Sequence, residues 1–211
     1  MVAGVSYLHC IGLGHLDIKP ENILLYNPGG SEPLVKIIDY GIMADIRKKA
    51  EQPVFCATIG YCAPEIFAKD GPIDLTTKLA IVHVPTAVAW SVGATMYTYL
   101  ASGMVYPMMN YMNGAGRVVP MGYRRYGEWF VRASKDGAHL DALEELASSD
   151  DNTIKQYHIK ELAQFMVQLM QSDPNKRSAL ESSFYKQLEP FVRDKNAAGP
   201  STPRLASPSE K

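Results

Sequence analysis

A dense group of polar side chains lies near the start of the chain, within the sequence GHLDIKPENILL at residues 14–25. Asp17, Lys19 and Asn22 fall within six consecutive residues, and apolar residues flank the group on both sides. A carboxylate, an ammonium and an amide held this close together suit chemistry that needs charge to be positioned and neutralised. The question is whether the rest of the chain supplies what such chemistry requires.

Two further short motifs follow in order, IIDYG at residues 37–41 and YCAPE at residues 61–65. Each motif is a weak signal alone, since Asp39 could cap a strand end and Asn22 could hold a turn. The three together, with a predicted hairpin between the first two and a polar loop between the last two, are a strong signal.

The elements that must position these motifs are predicted to be mainly helical. ILLY at residues 23–26 and LVKIIDY at residues 34–40 are typical of two strands of a hairpin. Residues 45–57 are polar and are predicted to be irregular. Amphipathic patterns predict helices over 1–10, 126–134, 140–148 and 151–171, and a last helix is predicted over 178–192. Residues 86–101 are almost uncharged and apolar all round, which predicts a buried helix. The fold class is therefore mainly α (α+β) with a short β-hairpin.

Composition excludes several classes of protein. The 211 residues are 46% hydrophobic with a net charge of −1, which argues against a nucleic-acid binder that works by bulk electrostatics. Cys10, Cys56 and Cys62 are few, odd in number and without metal-binding spacing, so a reduced cytoplasmic or nuclear setting is the simplest account. Residues 79–116 carry no charge, but interrupting prolines and polar residues favour a buried core helix over a membrane span.

The order of the three motifs resembles the C-terminal lobe of the eukaryotic protein kinases, whose pattern is H-R-D-x-x-x-x-N, then D-F-G, then A-P-E. WSVG at residues 90–93 is similar to part of that family's buried central helix, and QSDPNKR at residues 171–177 is similar to a segment that pairs with the A-P-E glutamate. The resemblance covers residues 1–192 as a partial kinase domain. Residues 193–211 are rich in Pro, Ser and Ala and are predicted to be a disordered tail.

The resemblance implies a role for each matching residue. Asp17 would orient the attacking hydroxyl and Lys19 would offset charge on the transferred phosphoryl group, while Asn22 and Asp39 would bind Mg²⁺. Thr58 would lie in the substrate-binding loop and indicates the Ser/Thr branch. The residues implied for binding ATP are Lys19, Glu21, Asn22, Leu24, Ile38 and Asp39. Those implied for structural roles are His15, as a packed core histidine, Tyr40, Gly41, Glu65 and Arg177.

The sequence also departs from the family pattern. Leu16 replaces the arginine that binds a phosphate on the activation segment, and residues 42–57 contain no Ser, Thr or Tyr to carry one. Val88 replaces an aspartate that anchors the catalytic-loop backbone, which predicts buried amides short of an acceptor. No glycine-rich G-x-G-x-x-G motif or V-A-I-K lysine is found.

These departures leave two functions open. One is the catalytic lobe of an ATP- and Mg²⁺-dependent Ser/Thr kinase acting on protein substrates, truncated and weakly active or inactive as this chain. The alternative is a pseudokinase-like module that binds regulatory protein partners without catalysis. Neither function involves nucleic acid or a membrane.

Overall fold

The structure, a computed structural model, describes residues 1–27, 34–55, 57–68, 71–72, 74–77, 79–100, 123–148, 159–180 and 186. The α-helices in this part of the chain are α1 (Val2–Cys10), α2 (Val84–Leu100), α3 (Tyr123–Lys135), α4 (Ala138–Ser148) and α5 (Ile159–Leu169). The strands are β1 (Leu13–His15), β2 (Ile23–Tyr26), β3 (Leu34–Ile37), β4 (Met43–Asp45), β5 (Glu51–Val54) and β6 (Ala80–His83). Two short 3₁₀ turns cover Pro20–Asn22 and Pro64–Phe67.

The strands form three separate antiparallel pairs, β1 with β4, β2 with β3 and β5 with β6. The predicted hairpin is confirmed, since Ile23 lies opposite Ile37 and Tyr26 lies opposite Leu34. The prediction of irregular structure over 45–57 is wrong, because β5 lies inside that range. The partner strand β6 is distant in sequence, so local composition could not reveal the pairing.

Helix α2 is the centre of the core. Its sequence is apolar all round, which predicts burial, and Trp90, Val92 and Ala94 are indeed completely buried. It packs against α5, and Gly93 permits the close approach, since a Cβ at this position would lie 2.5 Å from Cγ of Met170. The two helices therefore form the centre of the core, and α2 also contacts β1 and the 3₁₀ turn Pro20–Asn22.

The other predicted helices agree with the observed helices to different extents. Helices α1, α3 and α4 lie where they were expected, with ends shifted by a few residues. Helix α5 covers the second half of the range predicted at 151–171, and residues 151–158 lie outside the described residues. A helix was predicted over 178–192, but residues 178–180 are not helical. Most of the rest of that range, and the predicted tail at 193–211, lie outside the described residues. Within the described part of the chain, no helix is long and apolar enough to cross a bilayer.

Two cysteines can be compared with the expectation of a fully reduced chain. Cys10 is free and exposed, as expected. Cys62 is disulfide-bonded, which differs from that expectation.

Candidate active site

The loop that carries Asp17 is held between two strand pairs. It follows β1, which pairs with β4, and it leads through the 3₁₀ turn Pro20–Asn22 into β2. Pro20 starts that turn because its fixed φ suits the first helical position. Gly14 in β1 faces Val84 at the start of α2, and a Cβ on Gly14 would lie 2.4 Å from Cγ1 of Val84. The loop is therefore seated directly on the helical core.

His15 connects the loop to the IIDYG motif. Its side chain is completely buried, its Nε2 lies 3.0 Å from the Ile38 carbonyl oxygen, and its Nδ1 accepts the Asp17 N–H at 3.2 Å. One neutral tautomer, protonated on Nε2, satisfies both hydrogen bonds. His15 thus joins the backbone of Asp17 to the residue that precedes Asp39.

The Asp17 carboxylate lies at the centre of a small hydrogen-bond network. Lys19 Nζ donates to Oδ2 at 2.7 Å, and the Thr58 hydroxyl donates to Oδ1 at 2.6 Å. Lys19 Nζ also donates to Thr58 Oγ1 at 2.9 Å, which closes a triangle of three side chains. Asn22 Nδ2 donates to the Asp17 carbonyl oxygen at 2.8 Å and to Oδ2 at 3.2 Å. Thr58 is thereby brought from 41 residues away onto the loop.

The network decides the charge of Asp17. Burial by itself would raise the pKa of this carboxyl, but hydrogen bonds from Lys19 and Thr58, the positive charge of Lys19 and the Asn22 amide outweigh it. The pKa of Asp17 therefore lies below its usual value. At neutral pH the group is an ionised acceptor that orients a donor hydroxyl.

A backbone hydrogen bond joins Asn22 to Ile38, the residue before Asp39. The Ile38 N–H donates to the Asn22 carbonyl oxygen at 2.9 Å, so Asp39 follows directly after a residue bonded to Asn22. Asp39 is exposed and has a φ of 62°, a conformation that non-glycine residues seldom adopt and that clusters at functional sites. Its Oδ1 accepts the Gly41 N–H at 3.3 Å.

The oxygen donors of Asn22 and Asp39 are of the kind that hard cations such as Mg²⁺ prefer. Among the described residues, no group of three or more His, Cys, Asp or Glu side chains is placed to hold a metal ion. Mg²⁺ keeps several waters and needs only one or two protein oxygens when phosphates supply others. A carboxylate and an amide oxygen therefore fit Mg²⁺ bound together with a phosphate ligand.

Glu65 and Arg177 form a bidentate ion pair. Nη1 and Nη2 of Arg177 lie 2.7 Å and 3.0 Å from the two oxygens of Glu65. The guanidinium also donates to the carbonyl oxygens of Gln171 and Thr86, and it lies 5.1 Å from the ring centre of Trp90. The pair joins the YCAPE motif to the QSDPNKR segment and to α2.

The remaining predicted site residues are partly or mostly exposed to solvent. Leu24, on β2, is 48% exposed, and Ile38 is partly buried. Glu21 is exposed on the 3₁₀ turn. Tyr40 is exposed, donates its hydroxyl hydrogen to the Ile37 carbonyl oxygen at 2.8 Å, and contacts the His15 ring edge to face.

Two residues that hold the site were not found from the sequence. Ser91 of α2 donates to the Tyr61 carbonyl oxygen at 2.7 Å, and Tyr99 donates to the Pro20 carbonyl oxygen at 3.1 Å. Their partners lie 30 and 79 residues away, so no local pattern marks them. The position of Ser91 within the WSVG motif was the one available signal.

Val88 has a milder consequence than the sequence suggested. It is buried in α2 and offers no acceptor to the loop. The Leu16 N–H nevertheless donates to the Ile42 carbonyl oxygen at 3.2 Å, and the Asp17 N–H donates to His15. The expected penalty for unpaired amides is therefore not incurred at these two positions.

Comparisons with known proteins agree with these motifs. A family model described as the protein kinase domain matches residues 1–188. The chain is 32% identical over 127 residues to the ovarian-specific serine/threonine-protein kinase Lok of Drosophila melanogaster, covering 60% of this chain and 25% of that protein. It is 35% identical over 100 residues to calcium/calmodulin-dependent protein kinase type IV of Homo sapiens, covering 47% and 19%. The chain thus spans a quarter or less of these curated relatives.

A solved structure is also similar to this chain. It is described as the crystal structure of the Rad53 kinase domain and SCD2 in complex with AMPPNP. The TM-score is 0.49 at 21% sequence identity, and the match covers 91% of this chain and 55% of the other.

Proposed function

We propose, since this chain belongs to the protein kinase domain family, that it forms the C-terminal catalytic lobe of a Ser/Thr protein kinase. The reaction is transfer of the γ-phosphate of ATP to serine or threonine hydroxyls of protein substrates. The observation that carries the proposal is the closed triangle of Asp17, Lys19 and Thr58.

The triangle suits phosphoryl transfer because that reaction depends on positioning and on charge neutralisation. Ionised Asp17 accepts a hydrogen bond from Thr58 Oγ1, so a substrate hydroxyl could be oriented by the same carboxylate. Lys19 Nζ lies 2.7 Å from that carboxylate, and its charge would offset negative charge on the migrating phosphoryl group. A threonine at position 58 favours Ser/Thr substrates, as the family resemblance implies.

Asn22 and Asp39 would hold Mg²⁺ in this proposal. Bound there, Mg²⁺ would supply positive charge that offsets the negative charge of a phosphate ligand. The support from this chain is the exposed Asp39 carboxylate and the backbone bond that places Asn22 beside Ile38. Leu24 and Ile38 would offer an apolar floor for the nucleotide, and Glu21 would lie at its edge.

We further propose that this chain alone binds nucleotide weakly and is weakly active or inactive. The sequence contains no glycine-rich phosphate loop and no V-A-I-K lysine. Each missing electrostatic contact of this kind commonly lowers a rate by about 10²–10³. The half-exposed Leu24 is consistent with a nucleotide site that these residues only partly enclose.

Phosphate transfer from radiolabelled ATP to a Ser/Thr peptide library is the direct test. The assay uses this chain and any longer product of the same gene, each compared with Asp17→Ala. Glu144→Ala, which removes an exposed carboxylate on α4, is the matched control. We expect transfer that Asp17→Ala abolishes and Glu144→Ala preserves. No transfer by either protein, or transfer that survives Asp17→Ala, would contradict the proposal.

The second candidate is a binding module without catalysis, which Leu16 and Val88 favour because both replace polar residues of the family pattern. Calorimetric titration with MgATP separates the two functions. A kinase lobe should bind MgATP measurably, if weakly, and Asp39→Ala should abolish the binding. Tight binding of a protein partner with no MgATP binding in any form of the protein would favour the module.

A further inference from the structure

Part of the segment between Asp39 and Thr58 belongs to a strand pair that was not predicted from the sequence. Strand β5 lies inside this segment, and its register with β6 pairs Glu51 with His83, Gln52 with Val82, Pro53 with Ile81 and Val54 with Ala80. We call this pair, Glu51–Val54 with Ala80–His83, the strand clamp. Residues 42–57 carry no hydroxyl that could accept a phosphate, so any order in this segment needs another source.

The backbone bonds around the clamp show which amides face β6. The Val84 N–H donates to the Ala50 carbonyl oxygen at 2.9 Å, so even-numbered residues of this stretch face β6. The Ile81 N–H instead donates to the Pro72 carbonyl oxygen at 2.8 Å, away from β5. Pro53, opposite Ile81, therefore occupies a position where no N–H is needed, and its presence does not break the pairing.

The strand β6 is itself held from its far side. Besides the Pro72 bond, the Asp74 N–H donates to the Leu79 carbonyl oxygen at 2.9 Å. The Asp74 carboxylate accepts the N–H groups of Thr76 and Thr77 at 3.0 Å and 2.7 Å. Strand β6 thus offers a braced edge to β5.

The clamp also reaches the hydrophobic core. Val54 and Val82, one from each strand, are 3% and 4% exposed. Directly after β6, Val84 packs against Gly14 of β1, in the strand that leads to Asp17. The clamp is therefore continuous with the base of the catalytic loop.

Thr58 is the residue that the clamp would position. It follows Val54 by four residues, and its hydroxyl bonds to both Asp17 and Lys19. On the other side of Thr58, Ser91 holds the Tyr61 carbonyl oxygen. The stretch that contains Thr58 is thus anchored before it by the clamp and after it by α2.

We propose that the strand clamp orders residues 43–55 without phosphorylation, and that the ladder amide of Gln52 is a positioning group for Thr58. Leu16 supports this proposal, because a leucine side chain has no charge or hydrogen-bond donor with which to bind a phosphate on the segment. The consequence for catalysis rests on the proposed kinase function, whereas the ordering itself does not.

Amide hydrogen exchange of the full chain tests the clamp with a pair of neighbouring proline variants. Gln52→Pro removes an N–H that faces β6, whereas Glu51→Pro removes one that faces away, as Pro53 already does. We expect Gln52→Pro to increase exchange at 50–54 and 80–84 by about tenfold or more, and Glu51→Pro to leave it near the wild-type rate. Gln52→Ala, which removes the side-chain bonds to the Asp45 and Lys49 carbonyl oxygens but keeps the amide, should have a smaller effect than Gln52→Pro.

Three results distinguish this inference from its alternatives. Equal exchange in Gln52→Pro and Glu51→Pro would show that the ladder does not order the segment. Faster exchange after phosphatase treatment of the wild-type protein would show that a phosphate orders the segment. Exchange is measured without nucleotide, so a protein that transfers no phosphate can still show the clamp. If transfer is detected, Gln52→Pro should lower it and Glu51→Pro should not.

Discussion

Thr58 illustrates how much one hydroxyl contributes at the scale of single residues. It donates to the Asp17 carboxylate and accepts from Lys19, so it satisfies two charged groups at once. Hydrogen bonds to charged groups are stronger than those between neutral groups and favour the ionised form of an acid. Thr58 therefore helps to keep Asp17 ionised as well as in place.

The substitution Thr58→Val tests this role because it keeps the branched shape and removes the hydroxyl. We expect the pKa of Asp17 to rise relative to wild type, and the free energy of unfolding to fall by about 1–3 kcal/mol. Carbon-detected NMR titration of the Asp17 carboxyl measures the first, and urea unfolding measures the second. Thr58→Ser keeps the hydroxyl and serves as the control. An Asp17 titration unchanged in Thr58→Val would remove Thr58 from the network.

At the scale of elements, helix α1 introduces a sensitivity to acid. Burial, aided by the neighbouring charge of His83 on β6, lowers the pKa of His9 to about 4. The Nε2 atom of His9 is shielded from solvent and has no hydrogen-bond partner among the described residues. The folded protein therefore favours the neutral ring, whereas the unfolded chain protonates it near its ordinary pKa.

The direction of the resulting pH dependence follows from that difference. A histidine whose pKa is lowered by folding stabilises the protein fully above its unfolded pKa, about 6.5, and progressively less as the pH falls towards 4. His9 should account for a loss of up to about 3 kcal/mol over this range. Urea unfolding at a series of pH values should show a flatter profile for His9→Leu than for wild type.

Two comparisons sharpen this test. Some acid sensitivity should remain in His9→Leu, because burial also lowers the pKa of His139. Tyr7→Phe changes an exposed residue of the same helix and should keep the wild-type profile. A His9→Leu profile parallel to wild type between pH 6.5 and 4 would show that His9 titrates normally in the folded protein.

At the scale of the whole molecule, the Glu65–Arg177 pair connects parts of the chain that are 112 residues apart. The Arg177 side chain is fully buried and Glu65 is 15% exposed. Removing one partner of a buried pair leaves an uncompensated charge, which is more costly than removing both. The pair should therefore act as a cross-link between the site and the helical core.

Glu65→Gln should lower the free energy of unfolding by about 3–5 kcal/mol, because it leaves the buried guanidinium without its partner charge. The double variant Glu65→Gln with Arg177→Met should be more stable than Glu65→Gln alone. Thermal and urea unfolding of the wild type and the two variants provide the measurement. The cross-link role fails if Glu65→Gln unfolds like the wild type, or if the double variant is the less stable of the two.

The sequence by itself determined the features that depend on short spacing. Asp17, Lys19 and Asn22 share one loop because they lie within six residues, and α1, α3, α4 and α5 follow from the spacing of apolar residues. The β2–β3 hairpin was predictable because its strands are near neighbours in the chain. Only the tertiary structure decided the β5–β6 pairing, the contact of Thr58 with Asp17, the tie from Ser91 to Tyr61 and the lowered pKa of His9. Each of these joins residues that lie far apart in sequence, and burial and pairing between distant segments leave no local pattern to read.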